Sequence, residues 1–223
     1  MINIVAVLFP DLTQLDLTGP AQVFAKYPDA QLHLVWNTLS PVVTDGGWCI
    51  VPTTTFQTCV QADVLFVPGG DGAFDVMDDP LLLAFLREQA ERADWVTSVC
   101  TGSFVLAAAG LLTGYRATSH WASLDMLSEF GVIPVSERVV RDRNRITGAG
   151  VTSGIDFAFT LAAQLFGDDE ARRIQLALEY DPDPPFEAGS PAKSDPELVR
   201  RIATATQGRR IDRVRRAAAA LGR

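Results

Sequence analysis

Cys100 has the sequence context of a reactive thiol. It follows the apolar segment 95–99 and precedes Thr-Gly-Ser at 101–103 and a second apolar stretch that starts at Phe104. This order predicts a buried strand, a tight turn and a short helix, an arrangement like a nucleophile elbow with cysteine in place of serine. Because the amides at a helix start favour an anion, we expect the turn to favour thiolate over thiol. The setting therefore predicts a cysteine nucleophile.

An inert cysteine is the alternative at this position, since free cysteine is among the most buried residue types. The strand-to-helix turn favours the reactive interpretation for Cys100, whereas Cys49 and Cys59 lack such a setting and should be inert. The chain has three cysteines, without a CxxC pair, and only two histidines. These counts predict neither a disulfide framework nor a closed zinc site.

Two other strand ends offer groups to the same site. Residues 68–72, Pro-Gly-Gly-Asp-Gly, follow the apolar segment 63–67, and their backbone N–H groups could stabilise a developing negative charge. Pro-Gly-Gly is also a common turn, so it supports a site only if it lies beside Cys100. Asp16 follows the first apolar segment in apolar surroundings. Its carboxyl is a candidate general acid or base, with a helix-capping aspartate as the alternative.

The remaining site candidates are aromatic or apolar, apart from one histidine. His120 stands in the sequence Thr-Ser-His-Trp, and we favour a structural hydrogen-bonding role for it over that of catalytic base. Candidate residues for the pocket wall are Phe24, Phe74, Trp121 and Ile155.

Strand-like segments alternate with helical patterns, which predicts an α/β fold with a mostly parallel sheet flanked by helices on both faces. We expect strands at 4–9, 32–36, 63–67, 95–99, 138–141 and 145–147, and helices at about 16–27, 80–92, 104–109, 152–166 and 168–179. Thr18 would cap the first helix, with Pro20 in its first turn. In such sheets, sites form where strands end and helices begin, so the loops after residues 9, 67 and 99 should converge.

The end of the chain carries a concentration of positive charge. Residues 181–196 contain five prolines and should form an extended surface segment, after which helical stretches from about residue 195 should finish the chain, as two helices. Residues 200–223 include eight arginines. Apolar residues recur there at helical spacing: Ile211, Val214, Ala218 and Leu221. We therefore expect a helix that packs by one face and leaves its arginines solvated.

Composition and charge limit the function classes. With 223 residues, 48% of them hydrophobic and 21% charged, the chain should form one α/β domain over residues 1–223. The formal net charge of −8 argues against a nucleic-acid partner. Neither a transmembrane run nor a signal peptide is apparent, so we expect no membrane association and a cytoplasmic location.

Together these residues resemble the PfpI/ThiJ superfamily, which shares its fold with class I glutamine amidotransferases, and within it the isocyanide hydratases. The motifs that carry the resemblance lie between residue 4 and about residue 221: Leu-Asp-Leu-Thr-Gly-Pro (15–20), Val-Pro-Gly-Gly (67–70), Ser-Val-Cys-Thr-Gly-Ser (98–103), Thr-Ser-His-Trp (118–121), Glu-Arg-Val-Val-Arg-Asp (137–142), Gly-Ile-Asp-Phe-Ala (154–158), Leu-Glu-Tyr (178–180) and Pro-Pro-Phe-Glu-Ala-Gly-Ser-Pro (184–191). The resemblance implies a flavodoxin-like fold, a homodimer, and neither a metal nor an organic cofactor.

The resemblance also implies roles for individual residues. Cys100 would be the nucleophile, with Asp16 as the general acid or base beside it. Thr101 would contribute its backbone N–H and its hydroxyl, and Gly70 a further backbone donor. His120 and Gly19 would lie next to the catalytic residues and support them without contacting the substrate. The implied reaction adds water to a small-molecule isocyanide and gives an N-substituted formamide through a cysteine-bound thioimidate.

Two alternatives to this function stay open at the level of sequence. One is a ligand-sensing or regulatory domain without catalysis, although the chain after Pro196 is too short for the helix-turn-helix module of such regulators. The other is a glyoxalase- or deglycase-like hydrolase of the same superfamily. Thr101 stands where peptidase-like members have histidine, which argues against a peptidase. Ala149 interrupts the three glycines that isocyanide hydratases can carry before the long helix, and its methyl group would alter how that helix packs.

Overall fold

A seven-stranded sheet forms the centre of the fold in a computed structural model that describes residues 1–222 and, at positions 207 and 209, the backbone alone. The strands in chain order are β1 (Ile2–Val7), β2 (Ala30–Trp36), β3 (Val42–Val43), β4 (Cys49–Ile50), β5 (Thr54–Thr55), β6 (Val64–Val67), β7 (Trp95–Val99), β8 (Arg116–Ala117), β9 (Ile133–Pro134), β10 (Val139–Asp142) and β11 (Arg145–Gly148). Across the central sheet the order is β10-β11-β7-β6-β1-β2-β5, and only the β10–β11 pair is antiparallel. Two short pairs, β3–β4 and β8–β9, lie outside it.

Six helices surround this sheet. They are α1 (Gln14–Phe24), α2 (Pro80–Ala90), α3 (Gly102–Ala108), α4 (Ser153–Phe166), α5 (Asp168–Ala177) and α6 (Pro196–Ala220), with 3-10 helices at Asp71–Phe74, Leu124–Phe130 and Pro191–Lys193. The connections β1-α1-β2 and β6-α2-β7 run in opposite directions across the sheet. Right-handed crossovers then place α1 and α2 on opposite faces. The predicted flavodoxin-like α/β fold is confirmed.

The central strands owe their place to continuous apolar sequence. Residues 4–7 of β1 and 64–67 of β6 are completely buried, as expected for parallel strands covered on both faces. The predicted bounds of β7 are correct, and those of the other predicted strands differ by no more than two residues at either end. The two-residue strands were not predicted, because segments so short carry no periodicity.

The start of α1 differs from the prediction. The helix begins at Gln14 with Thr13 at the N-cap position, so Thr18 is not the cap and instead donates a hydrogen bond to the side chain of Gln14 (2.8 Å). Pro20 consequently lies in the second turn, where its missing N–H leaves the carbonyl of Asp16 without the usual helical donor. The earlier start places Asp16 in the first turn of α1, close to the end of β1.

The end of the chain forms one 25-residue helix, α6, rather than the two predicted. The predicted packing face is confirmed: Val214 and Ala218 are buried, and Ile211 and Leu221 pack against the core. The expectation that the arginines are solvated is wrong for Arg210, whose side chain is only 16% exposed, whereas those of Arg213 and Arg215 are 41% and 64% exposed. Ion pairs with residues of the main body are formed by Arg210, Arg213 and Arg215. No helix within residues 1–222 is long and apolar enough to cross a membrane.

Val214 tests how strongly α6 is attached to the core. Val214→Ala removes two methyl groups from a fully buried side chain, so we expect the free energy of unfolding to fall by about 2 kcal/mol. Leu176→Ala is the matched control, because that side chain is 83% exposed, and should change stability by less than about 0.5 kcal/mol. Equal losses for the two variants in urea titrations would contradict the packing of α6.

Candidate active site

The three strand ends singled out in the sequence meet in the fold. β7, β6 and β1 are neighbours in the sheet, so the residues that follow them lie at one edge. Gly69 marks where they converge: a Cβ atom there would lie 2.6 Å from Asp16 Oδ2 and 2.7 Å from Cys100 Cβ. Only glycine fits between these two side chains. The prediction that the loops converge is confirmed.

Cys100 occupies a strained turn between β7 and α3. Its φ angle is 57°, in the left-handed region that non-glycine residues rarely adopt. Its N–H donates to the carbonyl of Ala149 (2.7 Å), and its own carbonyl accepts a hydrogen bond from the Ser119 hydroxyl (2.8 Å). The first residue of α3 is Gly102, and only glycine fits there because a Cβ would lie 2.2 Å from the carbonyl oxygen of Val67. The geometry is that of the predicted elbow.

The expected preference for thiolate at this turn is wrong. Backbone N–H groups of Thr101 and Val151 do face the sulfur and lower its pKa. Burial and the neighbouring Asp16 carboxylate act more strongly, and together they raise the pKa of the Cys100 thiol well above its usual value. The side chain is almost completely buried, so the loss of hydration outweighs the few amides at the start of a seven-residue helix.

Asp16 is completely buried beside the thiol. Its Oδ2 accepts a hydrogen bond from the Gly69 N–H (3.0 Å), while Oδ1 has no hydrogen-bond partner among residues 1–222. Burial raises the pKa of this carboxyl to about 7, although the Cys100 thiol and the Gly69 N–H act in the opposite direction. Between this pKa and the higher pKa of Cys100, the pair holds a single proton that either group can carry.

Thr101 and Gly70 hold one another in place. The Thr101 hydroxyl donates to the Gly70 carbonyl (2.7 Å) and accepts from the Gly70 N–H (2.8 Å). The Gly70 N–H is therefore already engaged and is not the free donor that the sequence suggested. In its place, the N–H groups directed at the sulfur come from Thr101, as expected, and from Val151.

A cleft of about 390 Å³ opens beside the elbow. Three of its lining residues also contact Cys100: Ala149 through its carbonyl, Ser119 through its hydroxyl and Val151 through its N–H. The cleft is lined by Thr118, Ser119, His120, Trp121, Leu124, Ser136, Glu137, Arg138, Ala149, Gly150, Val151, Thr152, Gly189, Ser190 and Pro191. A small molecule entering here would approach the sulfur across Ser119 and Val151.

Most of the chain matches a known protein family: the sequence pattern of the DJ-1/PfpI family covers residues 3–164. The chain belongs to the DJ-1/PfpI family. It is 56% identical over 192 residues to an isonitrile hydratase of Pseudomonas putida, an alignment that covers 86% of this chain and 84% of that enzyme. The crystal structure of a THiJ/PfpI family protein from Pseudomonas syringae superposes with a TM-score of 0.94 at 44% identity, over 97% of this chain and 90% of that one.

Some of the other relatives of this DJ-1/PfpI protein are regulators. An HTH-type transcriptional regulator of Pseudomonas aeruginosa is 33% identical over 151 residues, which cover 65% of this chain but only 44% of the regulator. The shared part therefore leaves more than half of that regulator unmatched.

The remaining candidates have different places in the fold. His120 lines the cleft, and its Nδ1 accepts a hydrogen bond from the Ala122 N–H (3.3 Å), which suits the structural role that we favoured. Gly19 packs against Ile155, where a Cβ would lie 3.1 Å from Ile155 Cγ1, so it serves the contact between α1 and α4 rather than the cleft. Across residues 1–222, no group of three or more His, Cys, Asp or Glu side chains is placed to hold a metal ion.

The predicted pocket wall is correct at one position of four. Trp121 lines the cleft, whereas Phe24, Phe74 and Ile155 do not. Phe24 and Phe74 are instead buried in the core.

Val151 was not predicted as a site residue. Its contribution is a backbone N–H, which carries no residue-type signal.

Replacing the buried carboxylate tests the coupling between Asp16 and the thiol. Asp16→Asn removes the negative charge that raises the pKa of Cys100, so we expect the pH midpoint of Cys100 alkylation to move to lower pH. Iodoacetamide labelling followed by peptide mass spectrometry measures this midpoint. Cys59 is the internal control, because burial alone raises its pKa, to about 11. An unchanged or higher midpoint at Cys100 would show that the two groups are not coupled.

Proposed function

We propose that this protein is an isocyanide hydratase, which adds water to an isocyanide and releases an N-substituted formamide. The observation that carries the proposal is the burial of the Asp16 carboxyl beside the Cys100 thiol, next to a cleft whose lining residues Ser119 and Val151 contact Cys100. The pair occurs in a chain most of which aligns with an isonitrile hydratase. Hydration of an isocyanide requires a nucleophile for its terminal carbon and a proton for the same carbon, and this pair offers both.

The first half of the reaction uses that shared proton. The Asp16 carboxylate accepts the proton of the Cys100 thiol as the sulfur attacks the terminal carbon of the isocyanide. Asp16 then donates the proton to this carbon, which yields a thioimidate bound to Cys100 and regenerates the carboxylate. The C–S and C–H bonds form at the expense of the S–H bond and of one π bond between carbon and nitrogen, so no further reactant is consumed.

The second half adds water. The oxygen of a water molecule attacks the thioimidate carbon while the Asp16 carboxylate accepts one proton of that water. Asp16 then donates this proton to the nitrogen. The C–S bond of the resulting adduct breaks as the hydroxyl becomes the formamide carbonyl, and the hydroxyl proton returns through Asp16 to the sulfur. The N–H groups of Thr101 and Val151 stabilise the charge on sulfur when it attacks and when it leaves.

The two alternatives are less well supported. For a regulatory domain, the similarity is weaker: the transcriptional regulator is 33% identical over 65% of this chain, against 56% over 86% for the isonitrile hydratase. A glyoxalase- or deglycase-like hydrolase is distinguished from an isocyanide hydratase by its product. The hydrolase would form a hydroxy acid from a dicarbonyl, whereas the hydratase forms a formamide from an isocyanide. Homodimer formation and a cytoplasmic location remain predictions from the sequence.

Substitution of the two central residues tests the proposed chemistry. We expect Cys100→Ala to abolish formamide production, because no thioimidate can form. Asp16→Asn should lower kcat about 10²–10⁴-fold, the usual contribution of a general acid or base. Formamide released from an aryl isocyanide is measured by chromatography, with Cys59→Ala as the control that retains activity. Formamide production by Cys100→Ala at the wild-type rate would refute the scheme.

The pH dependence follows from the shared proton. Below a pH of about 7, Asp16 becomes protonated as well, and the pair loses its proton acceptor. We therefore expect kcat/KM to rise with pH through about 7 and to fall only well above pH 9, where Cys100 loses the last proton. Initial rates measured across this range should lose the low-pH limb in Asp16→Asn. A wild-type profile without a rise near pH 7 would exclude Asp16 as the acceptor.

A further inference from the structure

Arg210 extends from α6 towards the active-site loops and is more buried than its charge would suggest. Its side chain is only 16% exposed. The guanidinium donates to the Ser123 hydroxyl (3.0 Å) and pairs with the Asp71 carboxylate. Its central carbon also lies 5.0 Å from the centre of the Phe74 ring, within range of a cation–π interaction. The guanidinium is thus mostly shielded and has three kinds of partner, although the Asp71 carboxylate is itself 76% exposed.

One of these partners belongs to the loop that builds the site. Asp71 directly follows Gly70, whose backbone is held by the Thr101 hydroxyl. Gly69, one residue earlier, donates to the Asp16 carboxyl and fills the space between that carboxyl and Cys100. The ion pair between Arg210 and Asp71 therefore restrains the backbone at Gly69, which sets the distance between Asp16 and Cys100.

Ser123, a second partner, belongs to a turn that carries residues of the cleft wall. The Ser123 N–H donates to the carbonyl of His120 (2.9 Å), which closes the turn that carries His120 and Trp121. Both of these side chains line the cleft. Arg210 thus connects two segments that follow different strands: the loop after β6, and the turn at residues 120–123 between β8 and β9.

The other ion pairs of α6 do not have this position. Arg213 pairs with Asp75 and Arg215 with Glu129, and their side chains are 41% and 64% exposed. Neither acidic partner lies within two residues of Gly69, which separates Asp16 from Cys100. Exposed pairs of this kind contribute little to stability, which makes Arg215 a suitable comparison for Arg210.

We propose that Arg210 is a positioning residue for the hydratase reaction, which fixes the loop at residues 69–71 and the turn at residues 120–123 relative to one another. This proposal rests on the proposed function. Arg210 does not contact the reacting atoms; it acts through Asp71 and Ser123. Burial lowers the pKa of His120, and the charge of Arg210 lowers it further, while Asp71 acts in the opposite direction. A neutral His120 keeps Nδ1 free to accept the Ala122 N–H within the same turn.

Kinetics of matched variants test the proposal. We expect Arg210→Gln to lower kcat about tenfold or more, because small displacements of reacting groups cost large factors in rate. Arg215→Gln should leave kcat and KM within about twofold of wild type. Arg210→Lys should recover part of the loss, since lysine can pair with Asp71 but lacks the planar fork that reaches two partners. Asp71→Asn should lower kcat in the same direction and add little to Arg210→Gln, as expected when two residues act as one unit.

Two further measurements separate this proposal from the proposed function. The chain has two histidines, so a proton NMR titration resolves both; the pKa of His120 should rise in Arg210→Gln, while that of His33 stays constant. The rate of Cys100 alkylation should change in Arg210→Gln and not in Arg215→Gln, whether or not the wild type hydrates isocyanides. Wild-type kinetics, alkylation and His120 titration in Arg210→Gln would overturn the proposal. If Arg210→Gln does not fold, the same comparisons are made with Arg210→Lys and Asp71→Asn, and wild-type values in both would overturn it.

Discussion

The structure of the site depends on two acidic groups held together out of water. Burial disfavours the ionised form of each, and each ionised form also disfavours ionisation of the other. The result is a carboxyl with a pKa of about 7 beside a thiol with a raised pKa, and hence a single proton shared between Asp16 and Cys100. A solvent-exposed pair would exchange this proton with water. The buried pair keeps it available for transfer to a substrate carbon.

Keeping such a pair buried requires a rigid frame. Cys100 adopts a left-handed backbone conformation, which persists because hydrogen bonds hold both its N–H and its carbonyl. The glycines at 69 and 102 leave no room for a side chain, since a Cβ at either would overlap neighbouring atoms. The strained backbone of Cys100 is thus held in place by the segments that pack closely around it. This close packing is possible only because residues 69 and 102 are glycines.

The sheet provides the frame and α6 adds to it. β1, β6 and β7 are adjacent, so groups from three distant segments meet without any long connection. The loops beyond the strand ends lack that support, because strand pairing stops before them. Arg210 contacts both of these loops, so α6 adds a connection between them that strand pairing does not make.

Local sequence determined much of this protein. The apolar runs predicted β1, β6 and β7, and the Val-Cys-Thr-Gly order predicted the elbow, because strand burial and turn chemistry depend on neighbouring residues. Asp16 could be named as a candidate for its type and position alone. Other features depended on contacts between distant segments: the raised pKa of Cys100, the engaged N–H of Gly70, the N–H of Val151 and the burial of Arg210. Hydration, hydrogen-bond partners and ion pairing are set by what packs around a group, and only the tertiary structure decided that.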